Sequence, residues 1–318
     1  MAKLQSSEIV GVANRPATIC ANTMCIWFDT TNLKTVISYC GYTGAGTWSA
    51  GGALITVRSW LAGTGTQNVG LAMGGCQAGY FSCTEEYNGT SWAVGGNLIY
   101  ARCSLAGAGT QNVGLAAGGF GGLGLTSCTE EYNGTSWSLG GNLINSRRQL
   151  AGAGAQNEGL VMGGQGNTFA CCQCTEEYNG TSWSTGGALA IARYGLAGAG
   201  TQNEGLAGGG GTNLTEEYNG TSWAAGGALI TSRFCLVGAG TQNAGLAIGG
   251  CSGGVVSCTE EYNGISWSTG GALAIARSSL AGAGIQSAGL VAGGFGGATG
   301  TNATEEYTKP LVIIDSIQ

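Results

Sequence analysis

The chain has 318 residues, among them 64 glycines and 2 prolines, with 9% charged residues and a formal net charge of −6. Scarce proline excludes collagen, and scarce charge excludes a solvated disordered chain, which leaves a β-rich repeat protein. The acidic balance argues against nucleic acid as a partner, because a phosphate backbone requires clustered Lys and Arg.

Residues 1–42 stand outside the repeat described next. They carry no apolar core behind a basic start, so no secretory signal is read there, and a cytoplasmic site of synthesis is expected. No stretch reaches about 18 apolar residues, so no membrane insertion is expected. Thr35–Tyr39 reads as a short strand.

From residue 43 the sequence repeats itself. Thr-Glu-Glu-Tyr-Asn-Gly-Thr-Ser-Trp occupies 84–92, 129–137, 175–183 and 215–223, and returns at 259–267 with Ile265 in place of Thr. Trp48, Trp92, Trp137, Trp183, Trp223 and Trp267 are each followed ten residues later by Arg58, Arg102, Arg147, Arg193, Arg233 and Arg277. Sixteen residues beyond each arginine a Gly-Gly begins, at Gly74, Gly118, Gly163, Gly209, Gly249 and Gly293. The tyrosines Tyr87, Tyr132, Tyr178, Tyr218, Tyr262 and Tyr307 then follow at 13, 14, 15, 9, 13 and 14 residues. All length variation therefore falls in one loop per repeat.

Each repeat reads as four antiparallel strands. Segments such as Leu105–Thr110 and Val113–Gly118 are two short, small-residue strands separated by Gln111-Asn112. Glycine at this frequency opposes a helix by about 1 kcal/mol per residue. Tyr-Asn-Gly-Thr then predicts a two-residue type I′ hairpin between a Glu-Glu-Tyr strand and a Thr-Ser-Trp strand. Gly/Ala-rich first strands suit the crowded centre of a ring, with tryptophans outermost between neighbouring sheets. Alternation places Glu85 on the face of Tyr87 and Glu86 opposite, and one arginine with two glutamates per repeat predicts a ring of Arg–carboxylate pairs.

The phase of the repeat bears on topology. The first copy opens at Trp48 and the last ends at Tyr307, so each end lacks what the other supplies. Pairing them would complete a sixth sheet and close the ring, which removes exposed edges. The alternative is that Thr35–Tyr39 pairs with the Trp48 strand.

In its order of Gly-Gly, spaced tyrosine and tryptophan, the stretch from about 43 to 307 resembles the kelch family. That resemblance implies an all-β fold, a closed six-bladed β-propeller of four-stranded blades over 43–307, flanked by 1–42 and by a tail strand at 308–318. Tyr and Trp stand only five residues apart here, a tighter turn than many kelch repeats have.

Six equivalent copies of Trp, Tyr, Arg and Glu read as fold determinants, since a catalytic residue is needed once. Histidine is absent, which removes Ser-His-Asp and Cys-His arrangements and the copper chemistry of galactose oxidase, an enzyme on a related propeller. No enzyme activity, metal or cofactor is expected. The 13 cysteines read mainly as reduced small hydrophobes, although Cys76 with Cys83, and Cys251 with Cys258, share one spacing that would suit disulfides across a hairpin.

The variable loops remain as the candidate binding surface, because recognition residues concentrate on loops held by a rigid scaffold. Their expected ligand-binding residues are Tyr80, Phe81, Phe120, Leu123, Gln165, Asn167, Phe169, Asn213, Val255 and Phe295.

Ile26-Trp27-Phe28-Asp29-Thr30-Thr31, and Asn-Gly-Thr-Ser-Trp repeats joined by Ala-Gly-Ala-Gly-Thr-Gln-Asn, are similar to segments of bacteriophage tail-fibre and related virion propellers. That similarity implies a virion protein that contacts host surface glycan or protein through its loops. It also implies attachment to other virion proteins, or self-association into a homo-oligomer, through residues 1–42. The alternative is a cytoplasmic kelch-like scaffold that binds a protein partner.

Overall fold

A computed structural model describes residues 24–29, 34–42, 44–167 and 170–317. All helix-or-strand structure among them is β-strand. Two compact units result, one from the ends of the chain and one spanning Thr47–Thr308. In the first, Lys34–Tyr42 lies antiparallel between Met24–Asp29 and Leu311–Ile317.

The second unit holds six four-stranded antiparallel sheets, a propeller-like all-β architecture. Sheet 1 runs in order through Ala62–Gly65, Gly70–Met73, Thr84–Tyr87 and Trp92–Val94, and sheets 2 to 5 repeat this order, starting at Ala106, Ala151, Leu196 and Val237. Sheet 6 takes Ala281–Ile285, Ala288–Ala292 and Thr304–Thr308 from the end of the repeat region and Thr47–Ala50 from its start. Tyr307 there faces Trp48, as Tyr87 faces Trp92 in sheet 1. Thr35–Tyr39 belongs to the terminal sheet instead and does not pair with the Trp48 strand.

The first strands pack on one another in sequence, from sheet 1 through sheet 6 and back to sheet 1. Their Ala-Gly alternation has a steric cause: a Cβ on Gly152 would lie 2.4 Å from the carbonyl oxygen of Gly107 in the preceding sheet. Buried apolar clusters fill the joints between sheets, so the core is divided into six layers.

Three hydrogen bonds recur at every joint. Trp137 Nε1–H donates to Thr84 Oγ1 of the preceding sheet at 3.0 Å, and the other five repeat tryptophans do the same. The hydroxyl of Tyr132 donates to Glu86 at 2.6 Å, again with five equivalents. Gln111 Nε2 reaches back to the carbonyls of Gly70 and Tyr87 at 3.0 and 2.7 Å, and Gln67, Gln156, Gln202, Gln242 and Gln286 repeat the contact. Burying ~200 Å² of indole at ~25 cal/mol per Å² corresponds to about 5 kcal/mol per tryptophan before ordering costs.

The expected ring of ion pairs is made by the first glutamate of each Glu-Glu. Arg58–Glu85, Arg102–Glu130, Arg147–Glu176, Arg193–Glu216, Arg233–Glu260 and Arg277–Glu305 lie 2.7 to 3.1 Å apart and are buried. Burial pulls the Arg147 guanidinium below its ordinary pKa, and Glu176 opposes that shift. In five sheets the same arginine also donates to both ends of the variable loop, as Arg147 does to Gly163 O at 2.7 Å and Cys174 O at 2.8 Å. A backbone bond such as Gly163 N–H to Cys174 O closes each loop neck. Loop length varies freely because the neck is fixed twice.

The hairpin between third and fourth strands differs from the expected type I′ turn. Gly89 has φ +86° while Asn88 is not in the left-handed region, and type I′ needs both. Asn88 Oδ1 instead accepts from the N–H groups of Thr90 and Ser91, at 3.0 and 2.9 Å. The side chain thus does what a second positive φ would have done.

Candidate functional site at the mouth of the ring

Antiparallel order places the variable loop, between second and third strands, at the same end of each sheet as the linker entering the first strand. Every linker carries its arginine inward, followed by two residues that differ from copy to copy. The second of these is left-handed throughout: Trp60, Ser104, Gln149, Cys235 and Ser279 have φ of 54 to 57°, and Gly195 has 60°. Such a conformation costs a non-glycine residue about 1 kcal/mol or more. It is offset here by a closed ring of backbone bonds. Ser104 N–H donates to Trp60 O, Gln149 to Ser104, Gly195 to Gln149, Cys235 to Gly195, Ser279 to Cys235 and Trp60 to Ser279, at 2.6 to 2.8 Å.

Around this ring runs a belt in which the residue after each arginine alternates with the residue after each Gly-Gly. Ser59 pairs with Cys76, Cys103 with Phe120, Arg148 with Gln165, Phe234 with Cys251 and Ser278 with Phe295. Sheet 4 breaks the pattern, because its loop is the shortest and its belt position is Gly211. There Thr212 pairs forward with Arg233, and the N–H groups of Gly210 and Gly211 both donate to Arg233 O. The belt is notched at that point, between Tyr194 and Phe234.

A cavity of about 470 Å³ lies at the axial mouth, lined by Trp60, Arg148, Gln149, Gln165, Tyr194, Phe234, Cys235, Cys251, Ser278, Ser279 and Phe295. Below it the axial channel narrows to about 110 Å³ between Leu, Ala and Gly of the first strands, and among the described residues that line it Cys235 alone is ionisable. Among the described residues, no carboxylate lines the mouth. Arg148 donates to Gln165 Oε1 at 2.9 and 3.2 Å and lies 5.2 Å over the Phe120 ring, whose edge meets Tyr80 at 5.8 Å.

The structure divides the expected ligand-binding residues. Gln165 and Phe295 line the mouth, with Tyr80 and Phe120 beside it. Leu123, 100% exposed, projects from the sheet 2 loop into an outer groove of about 710 Å³ with Ile99, Tyr100 and Leu139. Asn167 lines a separate groove of about 770 Å³ on sheet 3. Asn213 is exposed, Val255 pairs with Cys251, and Phe81 is half-buried with its backbone bonded to Gly75 and Arg102. Phe169 lies outside the described residues.

The sequence reading missed Trp60, Arg148, Tyr194 and Phe234. Their signal was present as identity rather than length: Ser-Trp, Cys-Ser, Arg-Gln, Tyr-Gly, Phe-Cys and Ser-Ser follow arginines whose spacing never changes.

The cysteines correct the expected pairings. Cys76, Cys83, Cys251 and Cys258 are all free thiols. Cys83 Sγ accepts from Arg58 at 3.1 Å, because the arginine holds the loop neck and turns that thiol inward. Cys76 instead meets Cys103, across the bond from Gly75 N–H to Arg102 O. The Cys103 thiol is drawn down to about 7 by the Cys76 hydrogen bond, helped by Ser104 and the charge of Arg148. Among the described residues, no three His, Cys, Asp or Glu side chains gather as a metal site.

No protein-family model matches this chain, and a search of curated proteins finds no relative.

Proposed function

We propose that the chain is a closed, six-bladed, kelch-like propeller acting as a non-catalytic binding module of a virion fibre or capsid. It contacts a host surface glycan or protein through the loop-bearing face. One observation carries this reading: on a scaffold whose joints repeat residue for residue, divergent side chains gather on the belt and loops at one end of the sheets, and several are aromatic.

The separate terminal sheet, from Met24–Asp29, Lys34–Tyr42 and Leu311–Ile317, supports a second assignment, attachment to other virion proteins or to further copies of the chain. Six buried, neutralised Arg–Glu pairs offer no acid and base converging on one bond, which favours binding over catalysis. The test is imaging of purified particles with a labelled antibody to the 120–128 loop. Symmetric labelling on particles is expected, and a purely cytoplasmic distribution would favour a cellular interaction scaffold, for which the apolar groove around Leu123 offers a surface.

A further inference from the structure

We infer that the axial mouth, whose lining includes Tyr194 and Phe234, is a slot for one uncharged pyranose ring, so that the glycan arm of the proposed function acts there. The inference rests on that proposed function and names the site and ligand class within it.

Four observations lead there. First, the belt that surrounds the mouth has a gap between two of the lining residues, Tyr194 and Phe234. Five of six belt positions carry a paired side chain, and the sixth combines the shortest loop with glycine, while backbone bonds draw that loop toward Arg233. Second, aromatic rings surround the opening. Tyr194 and Phe234 flank it, Trp60 and Phe295 line it, and none of the four stacks on another described ring. Phe234 is 40% exposed. Ring faces carry negative quadrupole density, which attracts the slightly positive axial C–H groups of a pyranose.

Third, the polar groups are of the right kind. Gln149 and Gln165 supply carboxamides, and Ser278 and Ser279 supply hydroxyls, neutral groups of the kind a ring bearing hydroxyls pairs with, and Gln165 Oε1 is already held by Arg148. Fourth, the charges fit a neutral ligand. Among the described residues of the lining there is no carboxylate for a cation, and the one cationic side chain, Arg148, is engaged with Gln165 and Phe120. A volume of about 470 Å³ falls within the ~300–1,000 Å³ of small-molecule sites.

The test is saturation-transfer NMR on the full chain with three probes: methyl α-glucopyranoside, methyl β-galactopyranoside and the methyl glycoside of N-acetylglucosamine, each at millimolar concentration. At least one should receive saturation at its ring C–H protons. Tyr194→Ala and Phe234→Ala should each weaken that probe about tenfold or more, while Tyr194→Phe, which keeps the ring, and Leu123→Ala, in the outer groove, should leave it within about twofold. Unchanged thermal melting of the variants shows that the fold is kept.

Binding that survives both alanine variants but disappears when the 165–174 loop is replaced overturns the slot and leaves a glycan-binding rim. Silence from all three probes overturns the inference, while particle labelling decides the proposed function independently.

Discussion

The joints between sheets and the belt around the axis come from the same repeat and follow opposite rules. At the joints, every repeat tryptophan, tyrosine and glutamine meets the same atoms in each of six copies. On the belt, backbone geometry is held as tightly, with a left-handed residue at every linker, yet the side chains differ at nearly every position. Repetition marks side chains whose partner lies in the adjoining copy. Variation marks positions where only the main chain is needed.

Five experiments would break or sharpen that contrast. The largest effect is expected from alkali. Burial, aided by Glu306, raises Tyr87 to about 12, and Tyr178 and Tyr218 are raised to about 12 in the same way. An unfolded tyrosine ionises near 10, so these groups contribute fully below about pH 10, and their contribution is lost as pH climbs through about 12. Tyrosinate absorbance and loss of β circular dichroism should therefore rise together in that window. Ionisation of Tyr87, Tyr178 or Tyr218 near pH 10 without unfolding, read as the absorbance lost in the corresponding Tyr→Phe variant, would show that the joints are looser than described.

Arg147→Ala comes next, because it strands Glu176 in the interior and releases both ends of a loop. Denaturant titration should show a loss of about 3–5 kcal/mol. Gln156→Ala removes the donor shared by Gly114 O and Tyr132 O, with an expected cost of about 1–3 kcal/mol.

Replacing Gln165–Cys174 by the short Gly211–Leu214 should change stability by no more than about 1 kcal/mol, since the neck contacts are common to both loops. If that chimera unfolds, the division between scaffold and rim is wrong. Leu123→Ser, at a fully exposed side chain, should stay within about 0.5 kcal/mol.

Much of the scaffold could be read before any coordinates. Fixed Tyr–Trp and Arg–Gly-Gly spacings located the strands, and the split phase of Trp48 and Tyr307 located the shared sheet. Three features resisted. Gln111 read as a turn residue, because its reach to Gly70 and Tyr87 depends on how the two sheets sit side by side. The left-handed ring was hidden because five of its six positions are not glycine, and tertiary hydrogen bonds, not intrinsic preference, impose it. The mouth was half-visible: loop length pointed to Gln165 and Phe295, whereas Trp60, Tyr194 and Phe234 lie where length is constant and only identity changes.

Sheet 6 has a consequence for biosynthesis. Ser49 and Glu306, opposed in that sheet, are 257 residues apart in the chain. At ~5–20 residues per second, a ribosome takes on the order of 10–50 s to deliver the second after the first. Throughout that interval the Trp48 strand has emerged without its mate, and the nascent arc presents two unfinished ends. A chaperone that shields exposed strands, or brisk elongation through the last two repeats, would decide how many chains pair Trp48 with Tyr307 of their own sheet 6 and how many join a neighbour's open end.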